Sequence, residues 1–399
     1  MRRIYESMIR DQFNNDDQMA FVVGPRQVGK TTTCKSLVDN CFYYNWDNQN
    51  HRKIILRGPD AIAEELALNI LSDNKKCIIL DEIHKYSKWK TFVKGLYDTY
   101  KDRVRIVITG SSRLDVFKKG GDSLMGRYFL YRMHPLSIAE LSTHTIPEQE
   151  IRTPGYIGPE DFENLFTNGG FPEPFIKNNL RFTTRWKSLR KQQFFKEDIR
   201  DLTKVRELGQ IEILADLIRL QSGQLTNYSN LANKINVSVD TVTRWIKILE
   251  SLYYCFSIKP WSKNISRSLI KEPKLYLWDW SWIDNRGSRI ENFVASHLLK
   301  AVHFWTDIGF GDYDLYFLRD KEKREVDFMV TKNNNPWFLV EVKSASNKSI
   351  SKNLVYFYNQ LNAPYAFQAS FDMEYIDKDV FSVKGPVIVP LRTMLSQLI

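Results

Sequence analysis

The run Gly24-Pro25-Arg26-Gln27-Val28-Gly29-Lys30-Thr31, followed by Thr32, fits the pattern G-x-x-x-x-G-K-[ST]. It lies between an apolar stretch at 20–23 and a predicted helix. That is the strand–loop–helix setting in which such a loop wraps a phosphate with inward-pointing backbone N–H groups. Gly24 and Gly29 permit the tight wrap. Lys30 reaches the β- and γ-phosphates, and the Thr31 hydroxyl is suited to Mg²⁺. The expected ligand is therefore ATP with Mg²⁺.

A second group belongs to the same chemistry. The apolar segment 77–80 ends in Asp81-Glu82. Carboxylates at the C-terminal tip of a buried strand lie where open α/β sheets bind ligands. Asp81 is the expected Mg²⁺ contact, and Glu82 the group that orients or deprotonates an attacking water. The segment 105–109 ends in Gly110-Ser111-Ser112-Arg113. Ser111 can sense the γ-phosphate, with Ser112 next in line; a plain turn accounts for them equally well. Arg127 is a candidate arginine finger acting across a subunit interface, or a structural arginine.

A third constellation lies far downstream. Asp327 and Glu341-Val342-Lys343 form D-x13-E-x-K. Glu341 and Lys343 share one face of a predicted strand. A turn at 332–336 makes that strand the neighbour of the one carrying Asp327. Asp327 and Glu341 are then placed to bind a divalent metal, Mg²⁺ or Mn²⁺, with Glu291 as an accessory ligand and Gln360 a weaker helper. Such a metal would activate water for phosphodiester cleavage while Lys343 stabilises charge. Two alternatives stand beside cleavage: a solvent-facing Glu/Lys pair on an edge strand, or a nuclease-like fold that binds DNA without cutting it.

The elements that position these groups follow from the apolar pattern. Strands are predicted at 20–23, 42–46, 77–80, 103–109 and 128–132, with helices between them such as 88–100. Buried strands alternating with helices predict an α/β fold with a parallel sheet. Pro- and Gly-rich steps at 146–160 read as a linker, and 183–207 as a long polar helix. Three helices at 209–252 precede β-prone segments at 253–258 and 274–278, the order of a winged helix-turn-helix. In its third helix Thr241, Thr243, Arg244 and Lys247 lie on or beside the exposed side, where the DNA major groove would be met. Lys259, Lys263 and Arg267 could reach phosphates from the wing. The alternative is a helix packed on another protein surface. The last segment is α+β: a helix at 288–299, strands at 314–318, 325–331 and 337–343, and a helix near 351–361.

The expected domains are 1–145 (ATPase), 146–208 (linker and helical lid), 209–285 (winged helix) and 286–399 (nuclease-like). The pieces G-P-R-Q-V-G-K-T-T at 24–32, L-D-E-I-H at 80–84, I-T-G-S-S at 108–112, G-R at 126–127 with P-L-S at 135–137, and G-G-F-P-E at 169–173 carry a family likeness. The chain resembles, over nearly its whole length, bacterial and archaeal AAA-type ATPases with a C-terminal domain of long-unassigned function. The resemblance implies an AAA+ ATPase core, a winged helix and a C-terminal fold similar to PD-(D/E)XK nucleases.

Composition sets outer bounds. The 399 residues are 43% hydrophobic and 26% charged, which excludes wholesale disorder. No apolar run approaches the ~20 residues that span a bilayer, and the N-terminus lacks a signal-peptide core. The expectation is a cytoplasmic protein that needs no membrane. The four cysteines form no C-x-x-C pair, so neither a disulfide framework nor a zinc site is expected. A net charge of +10 favours a polyanionic partner, DNA first. The expected reading is an ATP-hydrolysing machine on DNA, working as a homo-oligomer, with a hexamer among the forms open to it. The alternative is a nucleotide-controlled switch or scaffold that binds protein or DNA without cleavage. A small-molecule kinase is disfavoured by the acid pair and the long C-terminal half.

Overall fold

The computed structural model describes residues 1–37, 41–70, 72, 74–110, 124–200, 208–262, 272–346 and 349–399. Ser111, Ser112, Lys263 and Arg267 lie outside the described residues. The chain divides into two units: residues 1–134 with 144–146, and residues 135–143 with 147–399. Among the described residues, no helix is long and apolar enough to cross a membrane.

The first unit is built on a parallel five-stranded sheet of order β2-β3-β4-β1-β5, as the alternating pattern predicts. Its strands are β1 (Met19–Val23), β2 (Cys41–Asn45), β3 (Lys76–Asp81), β4 (Val104–Gly110) and β5 (Tyr128–Arg132). The helices are α1 (Ile4–Asn15), α2 (Lys30–Lys35), α3 (Gln49–Leu56), α4 (Pro59–Glu65) and α5 (Trp89–Tyr100). All of β1 is buried. Phe21, Ile78, Leu80, Ile106 and Ile108 share one core with Phe92, Val93 and Leu96 of α5. The register aligns the strand tips: Val23 faces Gly110, and Asp81 faces Thr109 on one side and Asn45 on the other. The chemistry-bearing termini of β1, β3 and β4 thus come out on one edge. Against the expectation from their spacing, two of the four cysteines form a disulfide. The β2–β3 register sets Cys41 opposite Cys77, and their sulfurs are bonded. Spacing along the chain carries no trace of that register.

The second unit contains a mixed seven-stranded sheet, β12-β11-β10-β9-β8-β6-β7. Its strands are β6 (Cys255–Pro260), β7 (Lys274–Leu277), β8 (Tyr313–Arg319), β9 (Glu325–Lys332), β10 (Asn335–Lys343), β11 (Tyr365–Ser370) and β12 (Gly385–Pro390). Helices α6 (Ile138–Ser142), α7 (Pro159–Asn168), α8 (Pro172–Lys177) and α9 (Leu180–Gln193) come first, and a π-helical turn, Phe194–Ile199, continues α9. Then follow α10 (Leu208–Leu220), α11 (Tyr228–Ile235) and α12 (Val239–Ser251), whose apolar stripes meet in one core around Trp245. Ser238 caps α12, accepting from the Thr241 N–H. The antiparallel β6–β7 pair follows these helices, and β6 also joins β8 in the larger sheet. The long α13 (Arg286–Asp307), α14 (Lys352–Leu361) and α15 (Leu391–Ser396) complete the unit.

Candidate functional site

In the first unit the nucleotide site assembles from the strand tips. Gly24 adopts φ +154°, and a Cβ there would lie 2.3 Å from the Met133 carbonyl oxygen. No other residue fits that close approach. Gly29, at φ +101°, turns the loop into α2. Between them lie Pro25, Arg26, Gln27 and Val28. Lys30 is buried and donates from Nζ to the carbonyls of Gly24 (2.9 Å) and Pro25 (2.7 Å). Burial pulls its ammonium down to about 8, and the charges of Glu82 and Asp81 only partly offset this. The loop is a cradle around a cation short of counter-charge, which phosphate would supply.

Asp81 sits at the centre of the site. Thr31 Oγ1 donates to Asp81 Oδ2 at 3.0 Å, and the Tyr43 hydroxyl donates to the same oxygen at 2.7 Å. Thr109 donates to the other oxygen, Oδ1. Three hydroxyls from α2, β2 and β4 thus fix one carboxylate. A hydroxyl and a carboxylate side by side are hard oxygen donors of the kind Mg²⁺ takes, so Thr31 and Asp81 fit that ion. Held there, Mg²⁺ would supply charge neutralisation of the phosphates. Glu82 follows in a left-handed conformation, φ +55°, with Oε2 3.6 Å from His84 Nε2 and 3.5 Å from Lys85 Nζ.

Three residues of the site were invisible in the sequence. Tyr43 and Thr109 reach Asp81 only because the strand register aligns their tips. Arg3 is buried and donates to Val28 O and His134 O, both at 2.6 Å, tying the phosphate loop to the start of the chain and the end of β5. Arg127 lies elsewhere. Its backbone carbonyl accepts from Met19 N–H at the start of β1, the sheet edge opposite the loop. Its guanidinium grips Asp98 with both arms, at 2.7 and 3.1 Å. Its backbone thus lies at the end of the sheet opposite the phosphate loop.

In the second unit Asp327 on β9 and Glu341 and Lys343 on β10 are brought together, with Glu291 from α13. Val342 N–H donates to Asp327 Oδ2 at 2.8 Å, and Lys343 Nζ donates to Glu341 Oε1 at 2.8 Å. Burial, then the nearby Asp327 charge, raises both Glu291 and Glu341 to about 7. Burial also raises Asp327, against the pull of Lys274. Lys343 is held above its ordinary value: burial opposes this, and its bond to Glu341 prevails.

Among the described residues, no group of three His, Cys, Asp or Glu side chains is placed to hold a metal ion. The expected accessory ligand Glu291 is engaged by the chain's own side chains. Glu291 Oε1 accepts from Lys274 Nζ (3.2 Å) and from the Tyr276 hydroxyl (2.7 Å). Lys274, which sequence reasoning missed, also pairs with Glu325 at 2.8 Å. Gln360, named as a helper, is on α14.

On α12, Arg244 and Lys247 are exposed and Thr241 and Thr243 half-buried. Thr243 donates its hydroxyl back to Val239 O, and the Thr241 hydroxyl bonds Ser238. The two cations are thus the side chains of that set left for an outside partner.

The parallel sheet of the first unit agrees with a match to a known domain family. Residues 16–142 match the AAA domain, residues 159–283 a domain of unknown function (DUF8612), and residues 286–393 another (DUF4143). The first unit is an AAA-type, P-loop ATPase domain. An uncharacterized protein of Mycobacterium tuberculosis is 23% identical over 351 residues, 84% of this chain and 72% of its own. One from Haemophilus influenzae is 21% identical over 346 residues, 80% of this chain and 81% of its own. Among solved structures, a Walker-type ATPase of Pyrococcus abyssi has a TM-score of 0.42 at 12% identity, covering 69% of this chain and 92% of its own. AMPPCP-bound DnaA from Aquifex aeolicus has a TM-score of 0.33 at 12% identity, covering 62% and 87%.

Proposed function

We propose that this protein hydrolyses ATP in its first unit and uses the second to engage DNA. The observation that carries the reading is the convergence of Lys30, Thr31 and Asp81 at one edge of the sheet. Lys30 and the loop N–H groups bind the phosphates. Asp81 and Thr31 hold the metal. Glu82, next along the chain, orients or deprotonates the attacking water. Assembly into a homo-oligomer would leave Arg127 available only to a neighbouring copy, after release from Asp98.

In this reading α10–α12 with the β6–β7 pair form a winged helix whose α12 enters a groove. The net charge of +10 and the exposed Arg244 and Lys247 support it. The α+β region after residue 286 adds a nuclease-like surface that binds DNA, and the occupied acid cluster favours binding over cleavage. Fluorescence anisotropy with labelled DNA tests this. Arg244→Glu/Lys247→Glu should weaken binding at least about tenfold at low salt and flatten the dependence on salt. Unchanged binding by that variant would remove α12 from the interface.

A further inference from the structure

The acid cluster of the second unit already contains a cation. Lys274 begins β7 and is buried. Its Nζ lies 3.2 Å from Glu291 Oε1 and 2.8 Å from Glu325 Oε1, and 5.5 Å from the centre of the Phe317 ring. Asp327 is near enough to act on Lys274 through its charge. Carboxylates from α13 and β9 thus meet on one ammonium. Glu325 is further engaged by Arg319 at 2.6 Å, and Asp327 by the Val342 N–H. Beside them Glu341, only 8% exposed, keeps Oε1 on Lys343 while Oε2 is buried with no hydrogen-bond partner among the described residues.

We propose that Lys274 is the resident cation of this cluster, and that a divalent metal enters at Asp327 and Glu341 only when that ammonium is withdrawn. A divalent ion at Asp327 and Glu341 and the ammonium of Lys274 would compete for the negative charge of one buried cluster. Their repulsion is large at such distances, and each would lose oxygen donors to the other. An ammonium supplied by the chain is always present, so a metal must displace it, whereas an open site needs only ions from solution. The carboxylate oxygen left over at Glu341 is the donor a metal would use once Lys274 is gone. The inference concerns these side chains alone and stands whether or not the protein acts on DNA.

Mn²⁺ binding by electron paramagnetic resonance tests it on the full chain. Each protein is measured beside its Asp327→Asn partner, so that only Mn²⁺ lost on that change is counted and the nucleotide site cancels. At about 1 mM Mn²⁺, wild type should show no such ion. Lys274→Met should show one equivalent, at least about tenfold tighter than any wild-type binding, and Glu341→Gln should abolish it. Lys274→Arg, which keeps the charge, should behave as wild type. Asp327-dependent Mn²⁺ in wild type would overturn the proposal, and needs no folded Lys274 variant. A Lys274→Met protein that melts cooperatively and binds no Asp327-dependent Mn²⁺ would overturn it equally.

Discussion

Tyr43→Phe removes a single hydroxyl from the nucleotide site and leaves its surroundings in place. The ring keeps its contact with the Lys35 ammonium, 3.7 Å from its centre. What is lost is the 2.7 Å bond to Asp81 Oδ2 and a longer one, 3.3 Å, accepted from Asn45 Nδ2. Thr31 donates to the same oxygen and keeps its lone pairs for a metal. Tyr43, Thr31 and Thr109 together hold Asp81 in its working orientation. A hydrogen bond to a charged acceptor contributes roughly 1.5–3 kcal/mol, and Tyr43 is half-buried, so the lower end applies. About 1.5 kcal/mol corresponds to a fall of about tenfold in kcat/KM for ATP. Steady-state ATP turnover across a Mg²⁺ titration is the assay. The half-saturating Mg²⁺ concentration should rise along with the loss of kcat/KM. Turnover within about twofold of wild type at all Mg²⁺ concentrations would show that the Tyr43 hydroxyl does not position Asp81.

Three further outcomes follow from the same geometry. Lys30 is depressed to about 8 by burial, and phosphate charge would draw it back up. Nucleotide binding should therefore take up a proton near pH 8, and ATP affinity, read by isothermal titration, should fall as pH rises through that value. Gly24→Ala should abolish ATP binding, because its Cβ would strike the Met133 carbonyl at 2.3 Å; equilibrium binding of a fluorescent ATP analogue would show it. In the second unit Lys300 and Glu140 form an ion pair with exposures of 1% and 0%, and Lys300 also donates to Ser137 Oγ at 2.8 Å. Lys300→Met should cost about 3–5 kcal/mol in urea unfolding, and adding Glu140→Gln should recover much of it.

The nucleotide site was legible where its parts are contiguous in the chain. The loop at 24–31 and the acid pair Asp81-Glu82 are local patterns, and an apolar strand before each sets its position. Partners supplied by other elements were not legible. Arg3 meets Val28 and His134 across the folded unit, and nothing in the first residues signals a buried guanidinium. Cys41 and Cys77 became neighbours through parallel register, which no Cys spacing encodes. In the second unit the nearness of Asp327 to Glu341 and Lys343 was legible, since one turn joins their strands. It missed Lys274, whose strand is remote along the sheet from β9. It also missed β11, β12 and α15. Strand β11 hides a polar residue: Gln368 is fully buried, accepting from Ser351 N–H and donating to the Ser349 carbonyl. A polar residue inside an apolar run blurs the strand signal, and only the fold supplies its partners.

In the proposed function, ATP hydrolysis at Lys30, Thr31, Asp81 and Glu82 is coupled to DNA. Steady-state ATP turnover with single-stranded, duplex and branched DNA, at fixed low salt, tests it most directly. One of these structures should stimulate turnover several-fold. Glu82→Gln should bind ATP and hydrolyse none with any of them. Equal turnover with and without every DNA would contradict the coupling and leave a nucleotide-controlled switch. Normal turnover by Glu82→Gln would contradict the assignment of the site itself.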